Sequence, residues 1–188
     1  AIRQERFGPR HVATAGALAN LARIRQAQGI PDEARTYFAF AAQVRESMLG
    51  ATHHQTLETL ERFVDFLMAE KDFAAAEAPC RKLIAGLRGA ALQKPADLRA
   101  AYDRLLAVLE NTDRAKDTEG VRAEAEDAVA AATRRAADAA AAALAREAAD
   151  RAAVEAQLAR PQPPAKAARL ELTTSGSTTP AATGTKTE

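Results

Sequence analysis

Cysteine and tryptophan are almost missing from this sequence. Its 188 residues include one cysteine, Cys80, and no tryptophan, and aromatic residues make up only 4% of the total. A single cysteine excludes an intrachain disulfide and a zinc site built from several cysteines of this chain. So few aromatic side chains argue against a large barrel or sandwich and favour closely packed, alanine-rich helices.

Charge of one sign and long apolar runs are also lacking. The 26 basic and 25 acidic residues leave a formal net charge of +1, which gives no electrostatic reason to expect nucleic acid as a partner. No stretch approaches the roughly 18–20 apolar residues that span a bilayer, and no signal-peptide pattern is present. We therefore expect no membrane insertion and an intracellular location, cytoplasmic or cytoskeletal, although an organelle stays open.

Motifs for catalysis are missing as well. The sequence has no phosphate-binding loop, no dinucleotide fingerprint and no Gly-x-Ser-x-Gly motif. Its three histidines, His11, His53 and His54, have no further ligands at metal spacing. Cys80 is expected to be a small core residue and not a nucleophile. We therefore predict no enzyme activity, no cofactor and no metal site.

What the sequence does contain is an internal repeat, in which position i matches position i+42; we call this offset the repeat period. Pairs that match in this way are Gly8 and Gly50, His11 and His53, Thr14 and Thr56, Leu18 and Leu60, and Ala34 and Ala76. A period of this length indicates an array of stacked structural units, although an ordinary helical bundle with accidental similarity is the alternative. The paired histidines are expected to close the turn between repeats, and the paired alanines to lie where two helices approach closely.

Each repeat contains two predicted helices. The first helix is predicted over Val12–Gln28 in one repeat and over Gln55–Glu70 in the next, because apolar residues recur at i, i+3 and i+4. The segment Gly29-Ile30-Pro31-Asp32 ends the first helix and begins a second one, predicted over Pro31–Met48.

These repeats resemble the TPR repeats of kinesin light chain and related proteins. Such repeats carry a Leu-Gly-Pro-x-His lead-in, an Ala-Thr start, an Asn-Leu-Ala core and a Gly-x-x-x-x-Ala turn. The matching elements here are Phe7-Gly8-Pro9-Arg10-His11, Ala13-Thr14, Asn20-Leu21-Ala22 and Gly29 to Ala34. The second repeat departs from the pattern at Arg62, Lys71 and Pro79. The resemblance covers residues 1–90 and implies a right-handed stack of helix pairs whose first helices line a concave groove.

The predicted fold class is all-α, a TPR-like α-solenoid followed by a long alanine-rich helix and a disordered tail. Residues 1–8 match residues 43–50 at the repeat offset and are predicted to end a preceding repeat helix, which would make the chain a C-terminal fragment of a longer array. A short N-terminal arm that matches by chance is the alternative. The further predicted segments are TPR repeats at 9–50 and 51–92, a degenerate repeat or cap at 93–130, an alanine-rich helix extension at 131–160 and a Pro/Thr/Ser-rich tail at 161–188.

Alanine dominates the stretch before this tail. Half of residues 121–160 are alanine, which predicts a helix from about Arg114 to Ala159. The apolar residues larger than alanine hold no heptad phase, so an autonomous coiled coil is not expected. A solvated helix that caps the last repeat and an alanine-lined contact with a partner helix both stay open.

The resemblance also implies where a partner would bind. The residues placed in the groove are Asn20, Arg23, Gln26, Glu58, Glu61, Asp65 and Met68. Of the asparagine pair that the family often carries there, only Asn20 is present. The expected groove is open, mixed in charge and acidic in its second repeat, and so suits a basic or apolar peptide. A merely solvated acidic face is the other interpretation.

The predicted function is therefore a non-catalytic scaffold or adaptor for protein or peptide partners. One version is a soluble adaptor for short peptides, and the other is a structural subunit of a large assembly. The chain is expected to belong to a larger complex or to self-associate. The alternative is the regulatory or substrate-recruiting TPR end of a larger enzyme such as a kinase or NTPase.

Overall fold

A computed structural model describes residues 11–90 and 94–159, and the regular structure in these two ranges is entirely helical. The helices are α1 (Val12–Ala27), α2 (Pro31–Leu49), α3 (His54–Ala69), α4 (Phe73–Gly89), α5 (Pro95–Glu110) and α6 (Thr118–Leu158), with a 3-10 turn at Ala115–Asp117. The chain divides into two compact units, of which the first ends at Arg146 and the second begins at Glu147. The segments predicted at 1–8 and 161–188 lie outside the described residues.

The helices of the first unit pack in chain order, which makes it an α-solenoid of helical hairpins. Each of α1 to α4 packs against the next helix along the chain. The beginning of α6 shares a core cluster with α4 and α5, because Val121, Ala125 and Val129 are buried there with Leu98 and Tyr102. The all-α solenoid predicted from the repeat is confirmed.

Equivalent histidines cap equivalent helices. Nδ1 of His11 accepts a hydrogen bond from the backbone N–H of Ala13 at 3.1 Å, and Nδ1 of His53 accepts one from Gln55 at 3.2 Å. Each ring thereby satisfies one of the amide groups that a helix N-terminus leaves without an intrahelical partner. The two matched histidines therefore have a structural role, as the sequence predicted, and that role is to cap the first helix of each repeat.

The first helices of two repeats end in the same kind of turn. Gly29 has a φ of +71° and Lys71 has a φ of +59°. After α3, the N–H of Lys71 donates to the carbonyl of Met68 at 3.0 Å, and the N–H of Asp72 donates to that of Leu67 at 2.9 Å. This is the Schellman pattern, which requires a left-handed residue. Lys71 is therefore strained at the position where the first repeat has glycine.

Small residues set the closest helix contacts. Ala34 and Ala76 are both completely buried, as their shared repeat position predicted. A Cβ on Gly86 of α4 would lie 2.5 Å from Cδ2 of Leu57 and 2.6 Å from the carbonyl oxygen of Ala51. Only glycine therefore fits where α4 crosses the segment that leads into α3.

The start of the long helix differs from its prediction. The sequence predicted a helix from about Arg114, whereas α6 begins at Thr118 after the 3-10 turn. Arg114 instead pairs with Glu77 of the second repeat at 2.9 Å and with Asp117, three residues further along the chain, at 2.7 Å. Residues 137–159 are all exposed, and the choice between a solvated helix and a partner contact stays open. No helix in the described ranges is long and apolar enough to cross a membrane.

Candidate protein-binding groove

The predicted groove residues lie on α1 and α3, the first helices of two successive repeats. Five of them are exposed, namely Asn20, Arg23, Glu58, Glu61 and Asp65. Gln26 and Met68 are half-buried, and Met68 packs against the core as well. We call the surface formed by these residues, together with Arg62 of α3 and Asp103 and Arg104 of α5, the groove face.

Six of the seven predicted residues line three separate clefts, and Met68 lines none of the three. Asn20, Arg23 and Gln26 line an open cleft of about 670 Å³ at the first repeat. Glu58 and Glu61 line a second cleft of about 490 Å³ near the N-terminal end of α3. The structure therefore does not bring all seven residues into one pocket.

A third cleft of about 360 Å³ joins the two repeats. Its lining consists of four polar side chains and two aromatic ones: Arg23, Gln26, Arg62, Asp65, Phe38 and Phe66. The ring centroids of Phe38 and Phe66 are 5.5 Å apart. Phe38 and Phe66 are only 1% and 2% exposed, so the surface of the cleft is mainly that of its four polar side chains. Such a cleft suits a polar or charged side chain that can pair with them.

Arg104 of α5 is the groove-face residue that the sequence analysis missed. Its guanidinium donates to Asp65 at 2.7 Å and to Glu61 at 2.9 Å. Burial lowers the pKa of Arg104, but the hydrogen bonds and charges of the two carboxylates outweigh burial and raise its pKa overall. Arg104 therefore stays charged and bridges the first helices of the second and third repeats.

These ion pairs change the expected charge of the groove face. Glu58 accepts a hydrogen bond from Arg62 at 2.7 Å, so all three groove-face carboxylates of the second repeat have cationic partners. The acidic second repeat that the sequence predicted is therefore largely neutralised within the protein. Arg62 and Arg104 occupy the repeat position of Asn20, one and two repeat periods further along the chain. Extending the alignment to α5 would have found the second arginine.

Two charges of the groove face are left for a partner. Within the described residues, neither the Arg23 side chain on α1 nor the Asp103 side chain on α5 makes a hydrogen bond or ion pair. Both residues are exposed. The groove face thus carries an available cation in the first repeat and an available anion in the third.

Residues suited to metal binding or nucleophilic chemistry are not gathered on this face. The described part of the chain has no cluster of three or more His, Cys, Asp or Glu residues that could hold a metal ion. Cys80 lies fully buried in the core, as predicted, and burial raises the pKa of its thiol to about 12. A buried, protonated thiol is a poor nucleophile.

Comparisons with known proteins support the fold and leave the family open. No protein-family profile matches this sequence, and no curated protein matches it. Among solved structures, 27 chains match. One is the crystal structure of BtubC (BKLC) from P. vanneervenii, with a TM-score of 0.58 and 19% identity over 69% of this chain and 52% of that chain. The chain thus spans about half of BtubC, and it shares with it a TPR-like helical-repeat fold.

Proposed function

We propose that this chain is a non-catalytic scaffold that binds a protein partner through its groove face. The observation that carries the proposal is the cleft between α1 and α3, where the polar side chains of Arg23, Gln26 and Asp65 come together. TPR-like folds supply protein-binding surfaces of this kind, which the resemblance to kinesin light chain led us to expect. The groups that the cleft presents are charged or hydrogen-bonding, and they suit the polar side chains of a peptide segment.

The charges of the groove face favour one orientation of the bound segment. Arg23 in the first repeat attracts an acidic side chain, and Asp103 in the third attracts a basic one. The carboxylates between them are already paired with Arg62 and Arg104. A segment acidic at one end and basic at the other therefore suits this face better than the basic or apolar peptide that the sequence suggested.

Site-specific photo-cross-linking tests the proposal with two glutamines as a matched pair. Gln26 lines the cleft of the groove face, and Gln43 is exposed on α2, a second helix. A photoreactive residue at position 26 of the full chain is expected to capture one defined protein in the cell of origin, whereas the same residue at position 43 captures none of it. Equal capture at both positions, or capture at position 43 alone, would refute binding through the groove face.

A further inference from the structure

Neighbouring repeats are joined on their second helices by ion pairs at equivalent positions. Glu46 of α2 binds Lys82 of α4 at 2.8 Å, and Arg88 of α4 binds Glu124 of α6 at 2.7 Å. The second pair lies one repeat period after the first, with both charges inverted. Tyr102 strengthens it by donating its hydroxyl to Glu124 at 3.0 Å.

A second pair of positions follows the same rule. Arg35 of the first repeat binds Asp72 of the second, and Glu77 of the second repeat binds Arg114 of the third at 2.9 Å. These pairs are again one repeat period apart and inverted in charge. We call the two sets of positions the latches, and we call the side of each repeat that contacts the preceding one its front.

Inverted latches specify the order of the repeats. If the third repeat stacked directly on the first, Arg35 would face Arg114 and Glu46 would face Glu124. If the second repeat stacked on a copy of itself, like charges would likewise meet at both latches. Exposed ion pairs stabilise a fold only slightly, but in these two wrong orders repulsion replaces the attraction of the right one.

The front of the first repeat breaks this pattern. Its two latch positions, equivalent to Asp72 and Lys82, are occupied by Ile30 and Phe40. Ile30 is 36% exposed and Phe40 is half-buried. The charged side of the latch is therefore replaced by apolar side chains at both positions.

Ile24 extends the same apolar surface. It occupies the repeat position of Phe66 and Val108, which are 2% and 0% exposed because each belongs to the core shared by adjoining repeats. Ile24 itself is 53% exposed. The three residues Ile24, Ile30 and Phe40, here called the front face, thus hold positions that contact a preceding hairpin in the other two repeats.

We propose that the front face binds one further helical hairpin of the same repeat type, with uncharged side chains at both of its latch positions. In the sequence, the residue one repeat period before Glu46 is Gln4, which is uncharged and lies outside the described residues. A second copy stacked head to tail fits poorly, because it would bring Glu119, the equivalent of Arg35 and Glu77, against Ile30. Covering a charge with an apolar side chain is unfavourable.

The test supplies such a hairpin in register at the N-terminus of the full chain. A duplicate of residues 9–42 is joined ahead of Ala1, so that residues 1–8 complete one repeat period. In this added segment, the residue that duplicates Arg35 is either left as arginine or replaced by leucine. Each version is combined with native Ile30 or with Ile30→Asp, which gives four proteins.

Docking is measured first, with the variant Ile24→Cys. Both the extended protein with leucine and the chain without the extension carry Ile24→Cys. The extension is expected to slow alkylation of this thiol at least about tenfold, because docking removes the thiol from solvent. Buried Cys80 serves as the reference that reacts only on unfolding. Unchanged alkylation would overturn the proposal.

The coupling between position 30 and the residue that duplicates Arg35 is measured next. A double-mutant cycle compares the thermal midpoints of the four proteins. The leucine version with native Ile30 and the arginine version with Ile30→Asp are expected to melt about 2–4 °C above the two crossed combinations. If the four thermal midpoints show no coupling between the two positions, the proposed latch chemistry is overturned. A dimer of the unextended chain that Ile24→Glu dissociates would assign the front face to a second copy and would also overturn the proposal.

Discussion

Replacing Lys71 with glycine is expected to stabilise the protein, although it shortens an exposed side chain. Lys71 has a φ of +59° in the turn after α3, and Gly29 has a φ of +71° in the equivalent turn after α1. A side chain on Cβ crowds the following carbonyl in this region of the backbone, whereas glycine adopts it freely. Lys71→Gly therefore removes strain that the first repeat does not have.

The expected gain follows from two opposing terms. The left-handed conformation costs a residue with a Cβ roughly 1–2 kcal/mol. Glycine loses about 0.5–1 kcal/mol more than other residues on folding, because its unfolded chain is more flexible. The side chain of Lys71 makes no hydrogen bond or ion pair within the described residues, so no further loss is expected. The net gain is about 0.5–1 kcal/mol, or roughly 1–4 °C in the thermal midpoint for a chain of this length.

Urea unfolding followed by tyrosine fluorescence is the appropriate assay. The chain has no tryptophan, and its two tyrosines, Tyr37 and Tyr102, both lie in the first unit, so their emission reports that unit and not the end of the long helix. The midpoint is expected to rise in Lys71→Gly with no change in the slope.

Two matched variants separate backbone strain from side-chain effects. Lys71→Ala keeps the Cβ and is expected to leave the midpoint nearly unchanged, and Gly29→Ala introduces the same strain into the first repeat and is expected to lower it. A lower midpoint for Lys71→Gly, or a neutral Gly29→Ala, would refute the reasoning.

Further variants test the core and the groove face. Gly86→Ala is expected to destabilise the protein by about 1–2 kcal/mol in the same assay, because the new methyl group would overlap Leu57 and a backbone oxygen. Cys80→Ala isolates a pH effect: the thiol pKa is raised from 9.0 to about 12 in the folded protein, so the free energy of unfolding of the wild type should fall, relative to the variant, as pH rises above about 9. Arg104→Leu is expected to lower the free energy of unfolding by about 1 kcal/mol and to increase binding of a basic peptide, because it frees Glu61 and Asp65.

Most of the fold could be predicted because the repeat is visible in the sequence. The ends of α1 to α3 lie within one residue of their predictions, since His11, His53 and the turn at Gly29 mark helix boundaries by local chemistry. The beginning of α6 could not be predicted from local sequence in this way. Arg114 lies outside the helix and pairs with Glu77, which is 37 residues away in the chain, and helical spacing does not reveal that contact.

The groove face was only partly predictable from the sequence. Helical spacing placed Arg23, Gln26 and Asp65 on one face, and the structure brings them to a common cleft. The charge of that face depends on which side chains meet across repeats, and Arg104 reaches Asp65 from the next repeat. The repeat period shows which positions are equivalent in successive repeats. It does not show which of these side chains meet, because that depends on how the repeats stack.

The central claim, that the groove face binds a protein partner, is tested most directly by the affinity of the protein captured at position 26. Titration calorimetry with Arg23→Glu is expected to show a dissociation constant at least about tenfold higher than that of the wild type, which corresponds to about 1.4 kcal/mol. Lys116→Glu, the same charge change on the 3-10 turn, should leave the constant unchanged. Equal effects of the two substitutions, or no effect of Arg23→Glu, would contradict binding through the groove face.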